Sequence, residues 1–157
     1  MKQRVYVETS VISVAAGRRP SDLIQLARYE ETVEWWHKQI DVFEFVISPS
    51  VMYEIEKGDS FAAMARIKLV SELIILGSHD RIEAIARDFL LKSALPDKAW
   101  LDAMHLATAA FHGVNYLVSW NCRHIANATM RPLINQVCRA AGCEPPVICT
   151  PTELFYK

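Results

Sequence analysis

The sequence lacks the segments that mark membrane and secreted proteins. No apolar run approaches the ~18 residues that a membrane helix needs, and Glu8 interrupts the N-terminal apolar stretch close to the first charges. We therefore expect no signal peptide and no membrane anchor, and we expect the protein to be cytoplasmic. Blocks of like charge, internal repeats and Gly/Ser-rich linkers are also absent, so residues 1–157 are expected to fold as a single domain.

The spacings of several well-known cofactor sites are also missing. No CxxC pair is present, so neither a zinc site nor a disulfide framework is expected, and all four cysteines are interpreted as reduced, hydrophobic thiols. They are Cys122, Cys138, Cys143 and Cys149. The absence of a P-loop and of a GxGxxG fingerprint argues against nucleotide-driven or dinucleotide chemistry. The formal net charge of −1 excludes a strongly basic domain, so any phosphate binding must be local.

Short β-rich segments alternate with helical segments along the chain. The predicted strands are RVYV, FEFVI, ELIIL, NYLVS and PVIC, separated in turn by one, two, two and one predicted helices. This order predicts an α/β domain, and the lack of polar alternation favours a mainly parallel sheet covered by helices on both faces. Two predicted helices are well marked: the first runs from about Ser21 to Gln39, with Trp36 in the core, and another from Asp80 to Lys92.

Two glutamates occupy positions that favour a functional role. Glu8 directly follows the first predicted strand, and ligands bind at the carboxyl edge of open α/β sheets. Glu54 lies in the helix of SPSVMYEIEKG, which Ser48 is expected to cap, on one stripe with Val51 and Ile55. A charge on that packed side is costly unless it is paired or binds a cation. The alternatives are that Glu8 only caps the next turn and that Glu54 forms a buried salt bridge with an arginine.

Asp102 is the single formal charge in the segment from Ala99 to Phe111, which is apolar nearly all round and is predicted to be a buried helix. The alternative to metal binding is a favourable interaction of Asp102 with the helix dipole. His105 lies one turn later on the same face. For His105, a hydrogen-bonded core histidine is the preferred interpretation over a metal ligand.

The segment after NYLVS brings further polar side chains to the edge where Glu8 is expected. Ser119 and Asn121 supply oxygen atoms there, although Asn121 has the alternative role of only holding the turn. Arg123 and His124 are candidate neighbours of a substrate phosphate, with a solvated loop as the alternative.

Three carboxylates that converge from distant parts of a sequence repel each other unless a cation lies between them. Oxygen ligands suit Mg²⁺ or Mn²⁺, and these ions assist in-line attack on a phosphodiester. The residues therefore indicate metal-dependent hydrolysis of a nucleic-acid backbone.

Four segments, YVETSVIS, SPSVMYEIE, DAMHLATAAF and YLVSWNCRHI, together resemble the PIN-domain family, in particular VapC-like toxins of bacterial and archaeal toxin–antitoxin pairs. The likeness runs through almost the whole chain. It implies that the acidic quartet of the family corresponds to Glu8, Glu54, Asp102 and Asn121. Two positions depart from the family pattern, because the first acid is usually Asp and because Asn121 stands in the fourth acidic place. The second departure puts a second metal ion in question.

The resemblance implies a PIN-like three-layer fold with a mainly parallel central sheet of about five strands. It also implies a homodimeric ribonuclease that cuts RNA with Mg²⁺ or Mn²⁺ and is blocked by a cognate antitoxin protein. The three acids would hold the ion, with Asn121 as a further oxygen ligand, and Ser10 or Ser119 would orient ligands or phosphate oxygens. The alternatives are a PIN-like module that binds RNA or protein without cutting and a phosphoesterase that acts on small molecules.

Overall fold

The computed structural model describes residues 1–92 and 94–155, in which five strands alternate with seven α-helices. The strands are β1 (Arg4–Val7), β2 (Glu44–Ile47), β3 (Ile74–Ile75), β4 (Tyr116–Val118) and β5 (Val147–Cys149). The helices are α1 (Thr9–Ala16), α2 (Leu23–Gln39), α3 (Pro49–Ile55), α4 (Ser60–Val70), α5 (Asp80–Leu91), α6 (Trp100–Phe111) and α7 (Arg131–Ala140). Within the described residues, no helix is both long and apolar enough to cross a membrane. Positions 93, 156 and 157 of the expected domain lie outside the described residues.

All five strands are parallel and form one sheet in the order β3-β2-β1-β4-β5. Val5, Tyr6 and Val7 of the central strand are fully buried. Because successive side chains of a strand point to opposite faces, both faces of β1 are covered. The predicted α/β fold with a parallel sheet is confirmed.

The order of the strands creates a crevice at one edge of the sheet. From β1 the chain continues to β2 and β3 on one side, whereas β4 and β5 lie on the other side. Connections that diverge in this way leave a ligand-binding crevice at the carboxyl ends of the two adjacent strands. Those strands are β1 and β4, which are followed by Glu8 and Ser119.

The region between β1 and β2 contains two helices, where the sequence predicts one. The unpredicted helix is α1, whose sequence TSVISVAA is rich in β-branched residues of modest helix propensity. Val11 and Ile12 are fully buried, so tertiary packing stabilises a helix that local preference does not mark.

The second of these helices, α2, begins slightly later than predicted. Its N-cap is Asp22, which accepts a hydrogen bond from the Gln25 N–H at 3.0 Å, and its first residue is Leu23. Trp36 is buried in the core as predicted, together with Trp35. The other well-marked helix corresponds to α5 within one residue at its C-terminus.

The four cysteines are free thiols, as expected from their spacing. Cys138 and Cys149 are buried, and burial raises the pKa of each of these thiols to about 12. Cys122 is exposed in the loop after β4.

Candidate active site

Glu8 lies directly after β1, where the sequence places it, and it is also the N-cap of α1. Its Oε2 accepts hydrogen bonds from the Ser10 N–H at 3.1 Å, from the Ser10 hydroxyl, and from the Ser119 hydroxyl at 2.8 Å. The other oxygen, Oε1, accepts no hydrogen bond from the described residues. Glu8 therefore caps the helix with one oxygen, while the second lies 4.0 Å from Nε2 of His105.

Glu54 approaches Glu8 from α3 and is held by side chains from two other elements. Its Oε1 lies 2.5 Å from Nε2 of His105 on α6 and accepts a hydrogen bond from the Thr9 hydroxyl at 2.8 Å. Its partner is thus a histidine and not the arginine of the alternative interpretation. One ligand atom each from Glu8, Glu54 and His105 lie within 4.8 Å of one another. Two of the predicted site residues therefore meet, and His105 joins them.

A buried series of hydrogen bonds connects Glu54 to the start of α3. Ser48, which caps α3 as predicted, lies 2.6 Å from the Tyr6 hydroxyl, and this hydroxyl lies 2.7 Å from Nδ1 of His105. Because Ser48 Oγ already accepts from the Val51 N–H, its own hydrogen is available to Tyr6. Neutral His105 with its proton on Nε2 accepts from Tyr6 at Nδ1 and donates to Glu54, and protonated His105 keeps both contacts with Nδ1–H donating to the Tyr6 oxygen. Both ring nitrogens are used in this arrangement, so His105 orients Glu54.

Burial and neighbouring charges shift the pKa values of His105, Glu54 and Tyr6. Burial by itself lowers the pKa of His105, but the hydrogen bond to Glu54 and the carboxylates of Glu8, Glu54 and Asp102 outweigh burial and raise it. Burial by itself raises the pKa of Glu54, but the hydrogen bond and the charge of His105 outweigh it, so this pKa is lowered. For Tyr6, burial raises the pKa well above its usual value. Glu54 is therefore ionised and Tyr6 neutral near neutral pH.

Asp102 lies one turn before His105 on α6 but contacts a different part of the chain. Its Oδ2 lies 2.8 Å from Nδ1 of His124, and its Oδ1 accepts a hydrogen bond from the Asn121 side-chain amide at 3.2 Å. The Asn121 oxygen accepts from the His124 N–H at 3.1 Å, so Asn121 also holds the turn. Within the described chain, the group of atoms that meet within 4.8 Å does not include Asp102. Metal binding by Asp102 and Asn121 stays a prediction.

The remaining predicted residues fall into two groups. Ser10 and Ser119 lie in the crevice, where Ser10 Oγ also accepts from the Trp120 N–H at 2.8 Å. Arg123 is exposed, and no ion pair within the described ranges joins it to the site carboxylates. A phosphate contact by Arg123 or His124 stays a prediction.

Tyr6, Thr9 and Ser48 are parts of the site that the sequence does not identify as such. One signal was available, because Tyr6 is a polar-tipped residue inside an otherwise apolar strand, and a buried tyrosine hydroxyl usually finds a hydrogen-bond partner. The partners come from α3 and α6, whose positions beside β1 follow only from the tertiary fold.

The comparison with family models decides the affiliation of the chain. A model of the PIN domain matches residues 5–127, which contain all four positions of the expected quartet. The chain belongs to the PIN domain family. The resemblance carried by the four sequence segments is thereby confirmed. Among curated proteins, none matches the sequence significantly.

Two solved structures are similar to this PIN domain over nearly their whole length. A chain of VapBC2 from Rickettsia felis, bound to a DNA fragment from its promoter, gives a TM-score of 0.61 at 12% identity, covering 94% of this chain and 98% of that chain. A chain of FitAB bound to an IR36 DNA fragment gives a TM-score of 0.54 at 14% identity, covering 97% of this chain and 98% of that chain. At such low identities the likeness shows a shared fold, and the residues of the site must carry any functional argument.

The donor atoms of this PIN domain fit a hard divalent cation. Glu8 and Glu54 each have one oxygen engaged in hydrogen bonds, while Glu8 Oε1 and Glu54 Oε2 accept none from the described residues. Carboxylate oxygens are ligands that Mg²⁺ and Mn²⁺ prefer. His105 fits better as the residue that orients Glu54, since carboxylate ligands are commonly fixed by such outer contacts.

Proposed function

We propose that this protein is a metal-dependent ribonuclease that hydrolyses RNA phosphodiester bonds. The observation that carries the proposal is the meeting of Glu8 and Glu54 at the crevice of a parallel sheet, in a chain of the PIN domain family. Two carboxylates this close repel each other, and a divalent cation between them removes that cost.

In this proposal Glu8, Glu54 and Asp102 hold Mg²⁺ or Mn²⁺, with Asn121 as a neutral oxygen donor. The bound ion would supply positive charge that activates water and offsets the charge developing on the phosphate during in-line attack. Asp102 is included because it lies one helical turn from His105 and contributes to the raised pKa of that residue.

The surrounding residues act by fixing the two glutamates. Ser10 and Ser119 donate to the same oxygen of Glu8 and so set its orientation. His105 does the same for Glu54, with Thr9 as a second donor. Ligands held in this way need little reorganisation when the ion and the RNA bind.

The biological role that we propose is that of the toxin in a toxin–antitoxin pair. The support is the shared fold with chains of VapBC2 and FitAB, together with the family resemblance of the sequence. A homodimer and a cognate antitoxin that blocks the site belong to the same proposal. Co-expression with the product of the adjacent open reading frame tests it, because an antitoxin should copurify with this chain and suppress its cleavage of RNA.

The nuclease activity is tested by incubating the purified protein with single-stranded and structured RNA in Mn²⁺, in Mg²⁺ and in chelator. Glu54→Gln is expected to lower the cleavage rate by roughly 100-fold or more and to remove the rise in melting temperature that Mn²⁺ causes. Glu56→Gln is the matched control, because Glu56 is exposed at the end of the same helix and carries the same charge. Asp102→Asn is expected to stop cleavage while the protein stays folded.

Cleavage at the wild-type rate by Glu54→Gln, or cleavage that persists in chelator, would contradict the proposal. A chromogenic phosphate monoester is included as a second substrate. Its hydrolysis without any cleavage of RNA would instead indicate a small-molecule phosphoesterase.

A non-cleaving module is the second candidate, and the surroundings of Asp102 favour it. Both oxygens of Asp102 are engaged by protein groups, His124 and Asn121, and Asn121 lacks the charge of the usual fourth acid. Such a protein would bind RNA or a protein partner without cutting. RNA binding by wild type in Mn²⁺, with no cleavage at any metal concentration, identifies this case.

A further inference from the structure

A cavity of about 350 Å³ lies between α1 and α2, outside the group formed by Glu8, Glu54 and His105. Its lining includes Ser13 of α1, Arg18 after that helix, Arg28 and Tyr29 of α2, and Trp120 after β4. A volume of this size falls at the lower end of the range of small-molecule sites. Its walls combine aromatic rings with cationic groups, in contrast to the carboxylates of the catalytic crevice.

The cavity is linked to the proposed catalytic site through α1 and through Trp120. Ser10 contacts Glu8, and Ser13 lies three residues further along α1, on the same side of the helix. Trp120 connects the two regions at a second point, because its backbone N–H donates to Ser10 Oγ at 2.8 Å. A polymer whose phosphate lies at Glu8 therefore has this cavity next to it.

Trp120 is partly exposed at the wall of the cavity, packs against the hydrophobic core and is held in a fixed orientation. Its indole N–H donates to the buried Thr32 hydroxyl at 2.9 Å, and that hydroxyl donates to the Arg28 carbonyl. The Arg28 guanidinium lies over the indole, with its central carbon 5.1 Å from the ring centroid. Indole rings and guanidinium planes are the surfaces on which unstacked nucleobases stack.

The positive charges of the cavity are not neutralised by any carboxylate in residues 1–92 and 94–155. Neither Arg18 nor Arg28 has a carboxylate within 4.0 Å among the described residues, whereas the neighbouring Arg19 pairs with Glu30 at 3.0 Å. In a chain of net charge −1, two unpaired arginines beside one aromatic ring form a local site for a phosphate.

From these observations we propose that the cavity binds one nucleotide of a single-stranded RNA, next to the phosphate that is cut. The base stacks on Trp120 and Arg28, and the adjoining backbone phosphate pairs with Arg18 and Arg28. The site rests on the proposed nuclease function for its substrate class. It makes this enzyme selective for single strands, because only an unpaired nucleotide exposes its base for stacking.

Binding is measured without cleavage, by fluorescence anisotropy of a labelled single-stranded RNA octamer in chelator. The double variant Arg18→Gln/Arg28→Gln is expected to weaken binding by about tenfold and to reduce the slope of log K against log salt by about 0.7, the value for one phosphate contact on a single strand. The matched control is Arg87→Gln/Arg139→Gln, which removes two exposed arginines from α5 and α7, neither of which lines the cavity. The control pair is expected to change the slope far less.

Stacking is tested separately at Trp120. Trp120→Leu is expected to weaken binding by on the order of tenfold, whereas Trp120→Phe, which keeps an aromatic face, recovers most of it. A set of octamers, each with one abasic position, gives a further test. Wild type should bind one member of the set more weakly than the others, and Trp120→Leu should bind all members equally.

The outcomes separate this site from the nuclease function. Weakened binding in the arginine and Trp120→Leu variants supports the nucleotide site even if wild type cleaves nothing in Mn²⁺. Unchanged affinity and salt slope in all of these variants overturn the nucleotide site, even if wild type cleaves RNA. Equal losses in the control pair overturn it as well, because the effect would then follow net charge alone. An antitoxin that loses affinity for the variants while RNA does not would assign the cavity to a protein and overturn the proposal.

Discussion

Asp102 and His105 lie one turn apart on the same helix yet serve different surroundings. His105 is fully buried and faces Tyr6 and Glu54, whereas Asp102 is partly exposed and faces the loop after β4. At the scale of single residues, the site therefore consists of two hydrogen-bonded groups, one around His105 and one around Asp102. The negative charge of Asp102 links them, because it helps to raise the pKa of His105. Substitutions in each group are expected to have different consequences.

Tyr6→Phe removes a hydroxyl that contacts Ser48 and His105 in the fully buried group. The change leaves His105 Nδ1 without its partner, and an unsatisfied buried polar group costs roughly 1–3 kcal/mol of unfolding free energy. Tyr116→Phe is the control, since its hydroxyl makes one long contact of 3.4 Å to Gln3, and we expect about 0.5 kcal/mol or less. Urea denaturation of the two variants without metal measures both values. Equal losses would show that the hydrogen bonds of Tyr6 add nothing to stability.

Asn121→Asp introduces a carboxylate against Asp102, whose Oδ1 now accepts a hydrogen bond from the Asn121 amide. Without metal, the repulsion is expected to lower the melting temperature. With Mn²⁺, the added charge is expected to tighten the binding of a second ion and to lower the Mn²⁺ concentration needed for half-maximal cleavage. Calorimetric titration of wild type and variant gives the stoichiometry and affinity. Identical titrations would assign Asn121 to the turn alone, the role seen in its contact with the His124 N–H.

At the scale of helices and strands, the N-cap side chains of α3 and α4 differ in what else they contact. Asp59 caps α4 at the surface by accepting from the Ala62 N–H at 2.9 Å. Ser48 caps α3 inside the core and also contacts Tyr6. Both fix the start of a helix, but only the Ser48 cap is connected through Tyr6 and His105 to Glu54.

Ser48→Ala and Asp59→Ala are therefore a matched pair. Each loses a side-chain N-cap, which costs about 1 kcal/mol of unfolding free energy. Only Ser48→Ala is expected to slow RNA cleavage, because it also removes the donor to Tyr6 in the series that orients Glu54. Denaturation curves and single-turnover cleavage rates measure the two effects. If both variants cleave at the wild-type rate, the series of hydrogen bonds does not position Glu54.

At the scale of the whole molecule, the parallel sheet places its central strand deep in the core, with the proposed site at the carboxyl ends of β1 and β4. The same core encloses two thiols, Cys138 and Cys149, whose pKa values burial raises to about 12. Global unfolding exposes these thiols to water, where a cysteine has a pKa of about 8.5. Stability is therefore linked to pH through these two buried thiols.

The sign of this linkage follows from which state binds more protons. Above about pH 8.5 the unfolded thiols lose their protons while the folded ones keep them, so stability falls as pH rises from about 8.5 towards 12. Between pH 8 and 9.5 the two cysteines together should lower the unfolding free energy by roughly 2.5 kcal/mol. Urea titrations at both pH values measure the loss. The double variant Cys138→Ala/Cys149→Ala should flatten this dependence, and Cys122→Ala, which removes an exposed thiol, should leave it unchanged.

The sequence by itself determined the class of fold and the elements that carry the site. Strand and helix periodicity, and caps such as Ser48, are local properties, so the five strands and the position of Glu8 at the end of β1 follow from them. The order of the acidic residues was enough to identify the family, which the match over residues 5–127 confirms.

The tertiary structure alone decided which side chains meet. Glu54 and His105 are 51 residues apart in the chain, and neither the spacing of α3 nor that of α6 specifies that these two side chains touch. Helix α1 was equally hidden, because its β-branched sequence becomes helical through burial of Val11 and Ile12 and not through local preference. Periodicity reports which face of an element is buried, whereas the partner across that face depends on how separate elements pack. For this reason the sequence does not show that Asp102 contacts His124 and Asn121. Nor does it show that His105, which sequence patterns assign to the core, orients Glu54 of the proposed metal site.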